Sequence, residues 1–402
     1  MKCVDAVLAV SAYARRRIGV VSVARSDYGH LVPVLTEIRA RTDLDLLLFL
    51  GGAHLSDRFG RTERLVEADG WPVAARIATL GDDDGPVGIA QAVARGVAGF
   101  AEAFARQRPD ILVVFGDRYE MASAALAALP LTIPVAHIHG GELSEGAIDD
   151  SLRHAITKLA HLHFASTDVY GRRICQLGEE AWRVHVTGAP GLDRFSTLPF
   201  VSRDALATRL GITLEGSTIV VTFHPVTLAY EDTAWHADEL LGALAGLDAT
   251  IVITYPGADT ASSAVIERLE MFAARTPRVR LVRALGDEVY VSLLREADAM
   301  VGNSSSGLIE APTFGLPVVN IGTRQRGRVR GANVIDVDYD RAAIAGGIRR
   351  ALDPTFAKRL RGMPNPYGDG HAAPRIVDVL SSARLGPELI RKRFADTPAG
   401  GD

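Results

Sequence analysis

The chain has 402 residues, 48% of them hydrophobic and 23% charged, with a formal net charge of -4. That length fits two ordinary domains better than one core, in a composition typical of soluble globular proteins. The slightly acidic balance excludes an electrostatic case for binding nucleic acid or an anionic membrane, so any phosphate site has to be local. With only Cys3 and Cys175, neither a disulfide framework nor a cysteine-based zinc cluster is available.

The apolar run 4–10 is short, broken by Asp5 and followed by Arg15-Arg16-Arg17. That charge order is the reverse of a signal peptide. No later stretch is long and apolar enough to span a bilayer, and the cytoplasm is the expected compartment. Residues 1–17 are expected to form a poorly ordered extension. Beyond them, β-branched apolar runs at 18–24, 44–50, 110–115 and 133–138 read as buried strands. Helical patterns lie between them, at 31–40 and 87–106. The pattern restarts at 218–223 and continues at 250–254, 279–282, 299–302 and 318–321. Alternation of this kind predicts parallel sheets with helices on both faces. Gly188-Ala189-Pro190-Gly191 punctuates the middle and suits a hinge. The expected division is a first α/β domain over 18–190 and a second over 191–384. The last helix is expected to pack back on the first domain, with 385–402 as a tail.

Chemistry concentrates in residues 137–164, HIHGGELSEGAIDDSLRHAITKLAHLHF. A strand runs into the Gly140-Gly141 turn, then come Glu142, the pair Asp149-Asp150, and an amphipathic helix carrying Arg153, His154 and Lys158. Strand ends of an open α/β sheet present reactive groups at its carboxyl edge, and carboxylates and imidazoles there suit proton transfer. Asp149 and Asp150 stand where that helix begins, so they read equally as caps, poised to hold Arg153 and His154 at i, i+3 or i, i+4. Asp117 follows the strand 110–115 and reads as either a reactive carboxylate or the N-cap of the next helix. His137, His139, His154, His161 and His163 invite a metal reading, but their spacing matches no ligand motif. No metal or other cofactor is expected.

In the second half, Gly302-Asn303-Ser304-Ser305-Ser306-Gly307 follows a strand and opens a helix, a setting suited to phosphate. Glu310 is expected on that same helix, within reach of a ribose diol. The cationic loop Gly322-Thr323-Arg324-Gln325-Arg326-Gly327-Arg328 comes directly after the next strand. Arg25, His54, Arg118 and His224 likewise follow strands.

Together these motifs resemble the hydrolysing UDP-N-acetylglucosamine 2-epimerases, over about residues 18–380. The resemblance implies the GT-B architecture, two doubly wound Rossmann-like domains facing across a cleft, which the strand–helix alternation suggests by itself. It implies conversion of UDP-N-acetylglucosamine to N-acetylmannosamine and UDP, through elimination to a glycal and re-addition of water, for nonulosonic acids such as sialic acid. It assigns UDP contacts to Arg25, Arg118, His224, Ser304, Ser305, Glu310 and Arg324. It makes Asp117, Asp149, Asp150 and, beside the sugar, His54 the matching catalytic positions. A homodimer or homotetramer is expected, binding a nucleotide sugar but neither nucleic acid nor membrane.

Two positions depart from the family pattern. Gly257 stands where asparagine is common. His139 stands where many members carry a glutamate, and a histidine transfers protons near neutral pH without offering negative charge. The weight therefore moves to Glu142 with Asp117, and the order of proton transfer stays open. The nearest alternative is the same chemistry on a nucleotide-linked 2,4-diacetamido-2,4,6-trideoxyhexose. A GT-B glycosyltransferase, a non-hydrolysing epimerase and a non-catalytic sugar-nucleotide sensor are the remaining ones.

Overall fold

A computed structural model describes residues 15–83, 85–144, 148–225, 231–256, 262–283 and 285–396. The position of Gly257 lies outside them, as do residues 1–14 and 397–402. Seven strands form the first sheet: β1 (Arg16–Ser22), β2 (Leu44–Gly51), β3 (Val73–Ile77), β4 (Ile111–Phe115), β5 (Val135–Ile138), β6 (Leu162–Ala165) and β7 (Val184–Val186). Six form the second: β8 (Ser217–Thr222), β9 (Ala249–Thr254), β10 (Val279–Val282), β11 (Ala299–Gly302), β12 (Val318–Ile321) and β13 (Val334–Val337). The orders are β3-β2-β1-β4-β5-β6-β7 and β10-β9-β8-β11-β12-β13, with every pairing parallel. Both halves are thus wound as Rossmann-like sheets, the GT-B architecture. Each has its switch point where the winding reverses, at β1/β4 and at β8/β11, and ligands of open α/β sheets bind there.

Central strands are apolar throughout because helices cover both faces. Ile18, Val20, Ile111 and Val113 pack into one core layer, and Val21, Leu112 and Val114 into the layer behind. The period of two follows from side chains alternating along a strand.

Four strands lie outside the expected set: β3, β6, β7 and β13. The first helix, Arg25–Ala40, begins six residues before the expected Leu31, directly behind β1. Strand β1 itself starts at Arg16, so the expected extension ends short of residue 17.

The chain crosses between the sheets twice. On the outward crossing Gly188 adopts φ +90, and a Cβ on Gly368 of the return crossing would lie 3.0 Å from the Gly188 Cα. The Ala189 N–H donates to the Tyr367 carbonyl at 2.7 Å beside this contact. After returning, the helix Ala372–Ser382 buries Ala372, Ala373, Ile376, Val377 and Leu380 in the core that holds Leu31, Leu35 and Ile38.

The segment expected as a tail from residue 385 is held against the first half over its described residues. Arg183 is fully buried and donates to the carbonyls of His161, Glu388, Leu389 and Arg391 at 2.8–3.2 Å. Lys392 reaches the buried Glu179 at 2.7 Å. A buried guanidinium demands acceptors for its five donors, and the segment after Leu385 supplies three as backbone carbonyls beside the Glu180 carboxylate and the His161 carbonyl.

Candidate active site

Because all strands are parallel, their carboxyl ends share one edge in each sheet, and the singled-out residues follow them. Arg25 follows β1, His54 β2, Asp117 and Arg118 β4, and His139 and Glu142 β5. His224 follows β8, Ser304 and Ser305 β11, and Arg324 β12.

The first half carries a connected, buried cluster. His139 adopts φ +63, a left-handed conformation uncommon for a residue with a Cβ and worth notice where it falls in a site. Its N–H donates to the Phe164 carbonyl at 3.1 Å, and its carbonyl accepts from Arg153 Nη1 at 2.8 Å. Its Nδ1 meets Glu142 Oε1 at 2.5 Å, and its ring packs on Phe115 with centroids 4.9 Å apart. Its Nε2 is buried with no hydrogen-bond partner among the described residues. Glu142 Oε1 also accepts from Ser166 Oγ at 2.8 Å. Burial pushes the Glu142 carboxyl up, but the hydrogen-bonded His139 beside it, then Arg153 and Arg328, hold it well below the ordinary range. An ionised carboxylate only accepts, so the Nδ1 facing it carries a proton. Glu142, expected foremost with Asp117, is thus joined directly to His139.

Asp117 accepts from Ser144 Oγ at 3.0 Å and pairs with Arg153 Nη2. It does not cap the helix Tyr119–Ala128, whose N-cap is Arg118. Arg153 turns inward to Asp117 and lies 3.9 Å from Glu142, instead of pairing with Asp149 one turn back. The acidic pair divides. Asp150 accepts from the Ser144 N–H at 2.7 Å and lies 3.6 Å from His154 Nε2, a local stitch. Burial, then the neighbouring Asp117, raises Asp149 above the ordinary carboxylate range. His54 is fully buried, with its nitrogens on Ser22 and Thr62 at 2.9 and 2.8 Å, and those bonds do not tie it to this cluster. His137 bonds the Gly116 carbonyl at 2.7 Å and Thr157 at 3.2 Å; burial drops it to about 3.

The second half is built of hydroxyls and backbone. Gly302 takes φ +140, and because a Cβ there would lie 2.0 Å from the Thr222 carbonyl oxygen only glycine fits. The turn therefore folds flat against β8, and Ser304 and Ser305 emerge partly exposed. The helix they open spans only Ser306–Ile309, so hydroxyls and local N–H groups matter here more than a helix dipole. Glu310 closes that single turn instead of lying along a helix, and it is held by Arg194 at 2.6 Å and Ser306 at 2.5 Å. Burial and the Arg324 charge lower His224 to about 3, so it is neutral near pH 7. Arg25 is exposed on the first turn of its helix, and Arg118 lies 3.4 Å from the buried Glu120.

Sequence reasoning passed over Ser166, Arg194 and Arg328. Ser166 follows a strand that went unrecognised, and Arg328 stood in the quoted cationic loop without a role. Among the described residues no three His, Cys, Asp or Glu side chains group as a metal site, and no helix is long and apolar enough to cross a membrane.

A family model described as UDP-N-acetylglucosamine 2-epimerase matches residues 36–381. The chain belongs to the UDP-N-acetylglucosamine 2-epimerase family. Within it, a UDP-N,N'-diacetylbacillosamine 2-epimerase (hydrolyzing) of Legionella pneumophila is 34% identical, over 94% of this chain and 98% of that one. A GDP/UDP-N,N'-diacetylbacillosamine 2-epimerase (hydrolyzing) of Campylobacter jejuni is 36% identical, over 81% and 85%. The fold matches the crystal structure of UDP-GlcNAc 2-epimerase from Neisseria meningitidis bound to UDP-GlcNAc, with TM-score 0.79 at 18% identity, over 90% of this chain and 99% of that one. For this epimerase-family chain the likeness in structure supports the architecture.

Proposed function

We propose that the protein is a hydrolysing 2-epimerase acting on a UDP-linked 2,4-diacetamido-2,4,6-trideoxyhexose. The observation that carries the reaction is the buried His139–Glu142 pair, with its free Nε2, beside Asp117 and Asp149. Carbon 2 of such a sugar has no flanking carbonyl, so its proton is hardly acidic and leaves as the bond from carbon 1 to UDP breaks. His139 Nε2 accepts that proton, and Glu142 stabilises the imidazolium, the division of labour between base and orienting carboxylate seen in catalytic triads. Asp117, held by Arg153, supports positive charge developing at carbon 1. Water then adds hydroxyl to carbon 1 of the glycal, and a proton returns to carbon 2 from the opposite face. Asp149, whose proton affinity burial raises, delivers it and takes up the proton released by the adding water, while the proton on His139 passes to solvent. The net change is one water consumed, with the free 2-epimer and UDP released. Arg25, Arg118, His224, Ser304, Ser305 and Arg324 hold the nucleotide diphosphate, and Glu310 faces the ribose.

The names of the Legionella and Campylobacter relatives support the diacetamido sugar. The family description supports a second reading, UDP-N-acetylglucosamine as substrate with N-acetylmannosamine as product. Both are tested by incubating the protein with each UDP-sugar in heavy water and following proton NMR. Free 2-epimer deuterated at carbon 2, with UDP, is expected from the diacetamido substrate at the higher kcat/KM. A UDP-linked epimer would point to the non-hydrolysing reaction. Transfer to an acceptor without exchange at carbon 2 would point to a glycosyltransferase. No turnover of either sugar would sink the enzymatic reading.

A further inference from the structure

The cationic loop after β12 touches both halves of the molecule. Arg324 Nη1 and Gln325 Nε2 both donate to the Asn303 carbonyl, at 3.2 and 2.8 Å. Asn303 in turn grips His224 twice, accepting from its N–H at 2.7 Å and donating to its carbonyl at 2.8 Å. The loop is therefore fastened to the serine turn and to the segment after β8. Four residues beyond Arg324, Arg328 crosses to the first half. Its Nε donates to the Leu143 carbonyl at 2.9 Å, and its Nη2 lies 3.4 Å from Ser144 Oγ.

Ser144 is a junction. Its hydroxyl accepts from Arg153 at 3.1 Å and donates to Asp117 at 3.0 Å. Leu143 adjoins Glu142. The next residue, Val329, is stapled by both backbone groups: its N–H donates to Tyr170 Oη at 2.9 Å and its carbonyl accepts from Tyr367 Oη at 3.0 Å. The two phenol oxygens are 3.0 Å apart. Val329 is thus clamped between the first half and the return crossing, and Arg328 beside it points at residues 143–144.

We infer that Arg328 is a positioning residue that ties the nucleotide-holding loop to the segment carrying Glu142 and Ser144, so that a bound diphosphate sets the geometry of the proton-transfer cluster. The inference rests on the functional reading above for its kinetic consequences, and on geometry alone for its structural ones. A guanidinium suits the task because it presents separate, coplanar donors in a fixed fork, which an ammonium does not. One bond fixes the backbone of the segment and the other addresses the hydroxyl shared by Asp117 and Arg153.

The test compares Arg328→Gln and Arg328→Lys with the wild type by UDP calorimetry, by kcat and KM, and by hydrogen exchange of residues 139–144 with and without UDP. Arg328→Gln is expected to lower kcat about 100-fold while the Kd for UDP moves no more than about threefold, the cost of misplaced reacting groups and not of lost binding. Arg328→Lys is expected to recover part of kcat. UDP should slow exchange of 139–144 in the wild type and leave it unchanged in Arg328→Gln. Equal protection in both proteins, or losses of kcat and UDP affinity in proportion, would overturn the inference. The exchange measurement reads without turnover. An inactive wild type that still shows Arg328-dependent protection would fail the functional reading and uphold the coupling.

Discussion

The two halves are wound in the same strand order and differ almost entirely in what their carboxyl edges carry. At the first edge, ionisable side chains are bonded to one another, with His139, Glu142 and Arg153 buried and Asp117 half-buried. At the second, a glycine turn laid on β8 presents serine hydroxyls and local backbone, with a neutral His224 nearby. Buried linked charges are costly unless paired, and they shift each other's proton affinities. Hydroxyls and N–H groups cost little and suit a ligand that brings its own negative charge. On the proposed function one scaffold therefore holds a proton-transfer half and a phosphate-holding half, and the difference lies in the loops, not the topology.

That contrast can be broken in order of expected effect. His139→Asn keeps a residue tolerant of the left-handed backbone but removes the proton carrier, and kcat should fall by about 100- to 10,000-fold. UDP affinity by calorimetry should stay nearly unchanged; comparable losses of both would erase the distinction between the halves. Arg324→Ala probes the other edge. Removing a charged donor to phosphate should weaken UDP binding by about 10- to 100-fold, with kcat at saturating substrate much less affected.

Acid should separate the halves by stability. Burial lowers His30 and His54 to about 4 and His137 to about 3 in the first half. A group with its folded value below its unfolded value of 6.5 favours the neutral form on folding, so stability declines as pH falls from 6.5 towards 3. Glu179, held by His163, Lys158 and Lys392 against the upward pull of burial, drops to about 2. Its contribution is present above the unfolded value of 4.5 and is lost as pH falls through about 2. Hydrogen exchange at pH 7 and pH 5 should show protection falling first over residues 16–186. Earlier loss over 217–337 would reverse the ranking. The smallest effect is expected from Asp150→Asn, which disturbs a helix-start bond to the Ser144 N–H. Thermal melting should show a loss of about 1 kcal/mol with kcat within a few-fold.

Much of this was legible in residue order. Buried parallel strands announce themselves as apolar runs, which is why β1, β2, β4, β5, β8 and β9 stood out. Strand β3 carries Arg76, β6 is four residues long with His163 in its middle, and β7 and β13 are short edges. None of them has the hydrophobic continuity that full burial imposes. The helix Arg25–Ala40 starts on Arg25-Ser26-Asp27, where no apolar periodicity marks a first turn. The chemistry-bearing residues were found because strand ends are easy to locate. Their partners were not, since Ser166, Arg194 and Arg328 act across elements that are distant in the chain. Arg153 was expected to serve Asp149 because helix spacing suggests it, whereas burial turned it towards Asp117. The docked segment after Leu385 was illegible for a related reason: its value lies in backbone carbonyls, which no side-chain pattern encodes.

The touching crossings at Gly188 and Gly368 constrain how the halves can travel. Two connectors fastened to each other at one point, with Ala189 bonded to Tyr367 alongside, resist sliding and stretching of one sheet past the other. Swivelling about that point remains the compliant motion, because glycine backbones tolerate small torsional changes without steric cost. A larger side chain at either position would act as a wedge in the axle, changing the rest angle of the cleft while every residue lining it stayed the same.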